Sequence, residues 1–397
     1  MPSPVPSLPA RLQRILEMEY PRFSKAEMAR RHAAVAGLME EAGADHLVFY
    51  GATRVGSSVQ WLTQWPVTAE AAGIFTPGRK DALYVHYHNH LPLATKLASD
   101  ADVAWSGEGT MIAKVIGALK ARGAKADRVA FIGPLSVDGH AALAAEFGTL
   151  KNLNRGYVGL RLVKSAEELD WFRIGAHFSD LGMLALRDDM QRGMNERELS
   201  DVIERAYVRP GGTNVIHFIG ATAMATPEVG VPRQFPSTRK LANGDVVFAE
   251  ISASFWEHSG QVLRTFTLGA EPTPLYRDLH ATAEAAFDAI VAILKEGTTP
   301  AEVVAASSMI ERNGFTTIDD LMHGFGGGYF PPIVGSASRP AGKIPDMPLK
   351  AGMMVVIQPN VATKDGKAGV QTGEALVITK TGVERLHQVE RGLGRVG

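Results

Sequence analysis

The chain has 397 residues, with 45% hydrophobic and 21% charged residues and 41 Lys plus Arg against 42 Asp plus Glu. That length predicts two domains of unequal size, and the balanced, interspersed charge leaves no footprint for nucleic acid or an anionic membrane surface. The absence of cysteine excludes disulfides, thiolate metal sites and a cysteine nucleophile, and fits a cytoplasmic protein.

No apolar run approaches the length of a membrane span. The Pro-rich opening, Met1 to Pro6, lacks the order of a secretory signal and reads as a frayed or partner-draped arm. Helical periodicity runs from Lys25 to Glu41 and stops at Gly43. Strands are expected at 44–50, 71–76, 82–87, 101–105 and 129–133, alternating with helices near 91–98 and 111–120, which predicts an α/β domain over residues 1–155. The aperiodic stretch 150–159 reads as an interdomain connection. Beyond it, Ser165 with Glu168 three residues later forms a capping-box signature for a helix to about Arg187. Asn195 caps a second helix, and further helices are expected over 274–295 and 300–313. These helix pairs, each joined to β-runs, predict an α+β domain over 160–397 with internal pseudosymmetry.

The chemistry concentrates on one stretch. Asn243-Gly244-Asp245 turns into a β-run that carries Glu250, and a second run opens eleven residues later on Gln261. If the two runs pair, both side chains can face one cavity. His323, Gln358 and Glu374 are the later candidates for the same site. His258 lies two residues before Gly260-Gln261 and is a candidate for the cavity rim. His217 has apolar neighbours, the pattern of a pocket-wall or core histidine. His86, His88 and His90 alternate, yet histidines on one strand face rarely converge on one ion, so a surface or dimer-interface strand end is expected. Gly324 to Gly328 lacks the Lys-Ser/Thr of a phosphate loop.

Several motifs together resemble the creatinase, prolidase, aminopeptidase P and methionine aminopeptidase family, whose fold is called pita-bread. They are Leu160 to Ser165, Gly193 to Glu196, Leu241 to Asp245, Arg264-Thr265, Gly352 to Pro359, and, in the first domain, Arg54 with Trp61-Leu62-Thr63. The resemblance implies an α/β N-terminal domain and a catalytic domain with a curved antiparallel sheet flanked by two helix pairs. Peptidases of this family place Asp, Asp, His, Glu and Glu around two metal ions. The matching positions are read here as Glu250, Gln261, His323, Gln358 and Glu374. Two carboxylates and a histidine cannot balance the about four positive charges of a dinuclear site. The family's two further histidines are also missing, at Pro232-Arg233 and at Tyr329-Phe330-Pro331-Pro332.

A creatinase-like reading therefore expects no metal and no cofactor, and hydrolysis of a C–N bond in a small polar amide, guanidino or lactam compound. His323 is expected as base or proton relay, with Glu250 and Glu374 orienting substrate. Gln261, Gln358, His258, His217, Arg54, Trp61, Arg339 and Tyr329 are expected to bind it. The resemblance also implies a homodimer in which Arg54 and Trp61 of one copy approach the other copy's pocket. One metal on Glu250, His323 and Glu374, a lyase, and a peptide-binding pseudoenzyme remain open alternatives.

Overall fold

A computed structural model describes residues 7–52, 58–326 and 328–397. The chain divides into two compact units, 18–161 and 162–397, the latter joined by the first 17 residues. The boundary is not the aperiodic linker expected at 150–159. Residues 151–152 form a short strand, the Asn152 side chain accepts the Asn154 N–H at 3.0 Å, and a helix follows that buries Tyr157. The expected draped arm, Met1 to Pro6, lies outside the described residues.

The first unit contains helices α2 (Lys25–Ala42), α3 (Ser58–Thr63), α4 (Leu91–Leu97), α5 (Met111–Ala121), α6 (Val137–Phe147) and α7 (Asn154–Leu162), α1 (Ala10–Leu16) belonging to the other unit. Its six-stranded mixed sheet has the order β4-β3-β2-β1-β5-β6, with β1 (His46–Ala52), β2 (Glu70–Phe75), β3 (Asp81–Val85), β4 (Ala101–Trp105), β5 (Val129–Ile132) and β6 (Lys151–Asn152). Val48, Ile74, Tyr84 and Phe131 pack there against Val115 and Leu119 of α5 and Leu143 of α6. The strand expected to carry alternating histidines ends at Val85, and residues 88–90 form a single 3-10 turn.

In the second unit Ser165 and Glu168 make the predicted capping box at the start of α8 (Ala166–Asp189), and Asn195 with Glu198 does the same for α9 (Glu196–Val208). The remaining helices are α10 (Pro274–Ile293), α11 (Pro300–Ala306) and α12 (Met309–Arg312), so the single helix expected over 300–313 is broken at Ser307-Ser308. The strands are β7 (Thr213–Ala223), β8 (Asp245–Phe255), β9 (His258–Ser259), β10 (Val262–Leu268), β11 (Thr316–Thr317), β12 (Met322–Phe325), β13 (Tyr329–Val334), β14 (Met354–Ile357), β15 (Val361–Ala362), β16 (Gly373–Ile378), β17 (Val383–Arg385) and β18 (Gly394–Val396). All but β11 and β15, which pair as a separate two-stranded sheet, build a curled, mainly antiparallel sheet whose main path runs β13-β12-β14-β16-β10-β8-β7.

Leu279, Phe287 and Ile290 of α10 bury against Val355, Ile357 and Leu376. Phe172 and Ala176 of α8 bury against Leu263, Val356 and Ala375. Two glycines set how closely α8 approaches the β9–β10 turn. A Cβ on Gly175 would collide with the His258 carbonyl, and one on Gly260 with Ala176. Ser179 then donates its hydroxyl to the Gly260 carbonyl at 2.8 Å, fixing the backbone next to Gln261. Among the described residues no helix is long and apolar enough to cross a membrane.

Candidate active site

Sheet register decides which candidates meet. Leu263 of β10 stands opposite both Glu250 of β8 and Gly373 of β16, so these three share a face. Gln261 lies two residues before Leu263 and therefore shares it too. Val356 of β14 is paired with Ala375 on one side and His323 on the other, which brings His323 and, two residues after Val356, Gln358 onto the same face. The curl of the sheet closes the set. Gln261 Nε2 donates to Glu250 Oε1 at 2.6 Å and lies 3.2 Å from Gln358 Oε1. All four side chains are buried, with Glu250 the most exposed at 4%.

Glu374 is not among them. It pairs with Val262 and Ile357, one residue out of phase with Gly373, and so points to the opposite face. There Oε2 accepts from Arg264 at 2.8 Å and from Arg385 at 3.1 Å, while Oε1 accepts from Arg385 Nε at 2.5 Å. Burial would raise its pKa, but the Arg385 hydrogen bonds and the charges of Arg264, His387 and Arg385 hold it below the ordinary glutamate value. Both oxygens are thus committed to structural cations. The residue that stands in the site register is Gly373, and a Cβ there would collide with the Ile357 carbonyl. A strand assigned from sequence with a one-residue phase error exchanges its two faces, which is why Glu374 looked like a site residue.

His323 is held in one tautomer. Its Nδ1 lies 3.0 Å from the Gly324 carbonyl, which only accepts, so Nδ1 carries the hydrogen and Nε2 presents a lone pair. Nε2 makes no hydrogen bond with protein. Burial pushes the imidazolium pKa down to about 4, against the upward pull of the Gly324 carbonyl and the Gln358 amide. Tyr329 stacks on the ring, with centroids 3.8 Å apart and planes 15° apart. Glu250 is shifted in the other direction, up to about 8, first by burial and then by the negative charge of Asp319. At neutral pH the site therefore presents a neutral imidazole acceptor and a carboxylic acid that still holds its proton.

Other expected contacts fall elsewhere. His217 receives or gives a 2.7 Å hydrogen bond with Tyr207 of α9 and lies 3.3 Å from the Asn214 amide, so it serves the packing of that helix on β7. Its register partner is Ile251, on the face opposite Glu250. The His258 ring packs against Trp171 and Phe172 of α8, and its Nδ1 bonds the Trp256 carbonyl at 2.8 Å. Trp61 is buried within the first unit, edge-on to Tyr157 and beneath the Arg31 guanidinium. Arg54 lies outside the described residues. Arg339 is exposed, and its charge acts on Asp320.

Three groups at the site escaped sequence reasoning. Asp319 and Asp320 immediately precede β12, and Asn360 follows Gln358. The Asp-Asp pair four and three residues ahead of His323 was the available signal.

A model of metallopeptidase family M24 matches residues 170–380, more than half of the chain. The chain belongs to that family. The Xaa-Pro dipeptidase of Pyrococcus furiosus is 24% identical over 238 residues, which cover 59% of this chain and 65% of the relative. The match thus spans just under two thirds of that relative's length. Among solved structures, the Xaa-Pro dipeptidase from Bacillus anthracis superposes with a TM-score of 0.79 at 19% identity, over 93% of this chain and 100% of the other. The prolidase from Pyrococcus furiosus does so with a TM-score of 0.74 at 20% identity, over 89% and 99%. These two likenesses establish the pita-bread fold.

The M24 name implies a metal centre, and the donors of this chain do not fit one. The positions that share a face read Glu, Gln, His, Gln and Gly, with the single carboxyl bonded by an amide. Neutral amides and a glycine supply none of the negative charge that hard divalent cations require. Among the described residues no group of three or more His, Asp or Glu side chains is placed to hold an ion.

Proposed function

We propose that this M24 chain hydrolyses a C–N bond in a small polar compound bearing an amide, guanidino or lactam group, without a metal ion. One observation carries the reading: the buried His323 Nε2, a lone-pair acceptor oriented through Nδ1 and left without a protein partner, in a cluster that also contains a protonated carboxyl at Glu250. A buried polar atom costs about 1–3 kcal/mol when nothing bonds it, so an acceptor at this position calls for a water or a substrate group.

In the reaction His323 Nε2 removes a proton from water as the water oxygen adds to the electrophilic carbon. Glu250 gives its proton to the departing nitrogen as the C–N bond breaks, and the proton held on His323 returns through solvent to the Glu250 carboxylate. Water is consumed as the C–N bond is replaced by C–O and N–H bonds, giving an acid and an amine from an amide, one amino acid from a lactam, or a urea and an amine from a guanidino group, with both side chains reset. Gln261 holds the Glu250 carboxyl in place, and its own Oε1 and Gln358 Nε2 remain available to the substrate. A base as weak as this imidazole keeps a proton only briefly, which suits a relay. Glu374, bound by two arginines, is left out of the mechanism.

The names of the relatives favour a second reading, hydrolysis of an Xaa-Pro dipeptide. A survey of amides, guanidines, lactams and an Ala-Pro dipeptide in chelator-treated buffer separates the two. We expect turnover that survives chelation and falls by about 10²- to 10⁴-fold in His323→Gln. Ala-Pro cleavage that requires an added divalent ion, or turnover indifferent to His323→Gln, overturns the proposal. The expected homodimer, with the first unit of one copy near the site of the other, belongs to the same reading and is read out by light scattering.

A further inference from the structure

We propose that Asn360 and Gln371 form a second recognition rung next to Gln358, which takes a neutral carboxamide or ureido group on the part of the substrate that is not cleaved. The inference rests on the hydrolytic reading above for the bond that breaks, and on separate observations for the rung.

The register of β14 on β16 places the pair. Ile357 pairs with Glu374 at the end of that ladder. The same register continues beyond both strands, where Val370 N–H donates to the Val361 carbonyl at 3.0 Å and Ala362 bridges to Gly369. Gln358 therefore stands opposite Gly373, where an added Cβ would lie 3.0 Å from the Gln358 Cβ, and Asn360 stands opposite Gln371. Ile357, Val361 and Val370 all bury in the core with Leu279 and Ile290 of α10. Asn360 and Gln371 are each one residue out of phase with that set. They turn instead to the face that carries Gln358, about 7 Å further along the strand.

Both backbones are tied down, and both side chains are open. Thr265 Oγ1 accepts the Gln371 N–H and donates to the Gln371 carbonyl, each at 2.8 Å. Asn360 N–H donates to the Gln358 carbonyl at 2.7 Å, and the Asn360 carbonyl accepts the Ile318 N–H at 3.1 Å. Yet the amide nitrogen and oxygen of both side chains, at 0% and 1% exposure, bond to nothing among the described residues. Two amides on one rung, with Cβ atoms about 5 Å apart, are close enough to bond each other, the arrangement that packing alone favours. Four open atoms on a fixed frame call instead for water or for a ligand. A carboxamide or ureido group donates and accepts in one plane and so matches the pair as a unit. A carboxylate would leave the two amide oxygens open, and an ammonium group the two nitrogens.

Succinamide, succinamate and butanamide share a four-carbon frame and one carboxamide, and differ at the far end, which is an amide, a carboxylate or a methyl group. Calorimetric titration of the full chain in chelator-treated buffer is expected to show succinamide binding about ten-fold more tightly than either of the others, the margin of one or two added hydrogen bonds. Asn360→Leu combined with Gln371→Met keeps the bulk of both side chains and is expected to erase that margin while butanamide binds as before. A crystal of the parent chain soaked in succinamide tests the same contact without a variant, and is expected to show one carboxamide within hydrogen-bonding distance of Asn360 and Gln371. Equal binding of the three probes, no binding of succinamide, a margin that survives the double variant, or ordered waters alone on the four amide atoms overturns the rung. A succinamide margin in a chain that turns over none of the compounds surveyed above supports the rung and defeats the hydrolytic reading. Metal-free turnover that is indifferent to the double variant, with no succinamide margin, does the reverse.

Discussion

Two buried polar clusters sit on opposite faces of the same sheet, and they are built on opposite principles. Around Glu374 the carboxylate is paired with two arginines, and among the described residues His387 Nε2 is left open. Arg264 also donates to the carbonyls of Leu263, Gly373, Val389 and Glu390, and His387 Nδ1 bonds Asp180 of α8 at 2.7 Å. Around Glu250 charge has been removed and hydrogen bonds left open, with Gln261, Gln358 and His323 each keeping an unpartnered atom. The first arrangement ties the C-terminal segment to the sheet. The second has the open valences of a binding site. A carboxylate in a buried network is therefore weak evidence of catalysis, and a buried polar atom without a protein partner calls for a water or a ligand.

Removing Glu374 gives the largest expected break in this contrast. Glu374→Ala leaves two guanidinium groups facing a void, and breaking a buried pair costs about 3–5 kcal/mol. Denaturant unfolding is expected to show that loss in the midpoint with little change in slope. If Glu374→Ala instead kept its stability and lost turnover, Glu374 would belong to the site after all and the register argument would fail.

The contrast was only half legible in the sequence. The caps at Ser165 and Asn195, the Asn243-Gly244-Asp245 turn and the spacing of Glu250 and Gln261 are local signals, each written within a few residues, and they located α8, α9, β8 and β10. The phase of β16 is not local. Gly373-Glu374-Ala375-Leu376 reads equally well in either register until Leu263 is known to pair with Gly373, and a slip of one residue swaps the faces. His217 and His258 take the structural side of their readings for a related reason. A histidine near a strand end looks the same in sequence whether it turns to the cavity or to a helix, and here Tyr207 and the α8 aromatics claim them. Asp319 and Asp320 were overlooked because adjacent acids ahead of a strand usually mark a solvated turn.

The two clusters should also titrate differently. Glu250 keeps its proton in the folded chain up to about pH 8 but loses it near the ordinary glutamate value when unfolded, so between those limits the folded state binds the extra proton and stability falls as pH rises. His323 acts in the opposite sense. Its folded pKa of about 4 lies below the ordinary 6.5, so the unfolded chain binds the extra proton between those values and stability rises with pH there. The two effects offset each other below about pH 6.5, leaving Glu250 to dominate above it, with a limit of about 1.4 kcal/mol per pH unit. Unfolding free energies between pH 6.5 and 8 are expected to decline in the parent chain and to flatten in Glu250→Gln. Turnover should be bell-shaped, lost on the acid side as His323 protonates and on the alkaline side as Glu250 ionises. An alkaline limb that persists in the residual activity of Glu250→Gln would remove Glu250 from the acid role.

The smallest effect is the sharpest test of what the open valences are for. Gln358 receives a long hydrogen bond from Gln261, at 3.2 Å, leaves Nε2 without a bond of ordinary geometry, and lies near enough to His323 and Tyr329 to act on both. Gln358→Met keeps the length of the side chain and deletes the orphan, while Gln261 retains its shorter bond to Glu250. Removing an unsatisfied buried group offsets the loss of one weak bond, so the folded state is expected to be unchanged or more stable by up to about 1 kcal/mol, read as a small rise in melting temperature. Substrate affinity should fall in the same variant. A residue kept for packing would show the reverse pair of results, with stability reduced and binding intact. Stability gained together with binding lost is what a side chain retained for its ligand predicts, and it is the outcome that a purely structural glutamine at position 358 cannot produce.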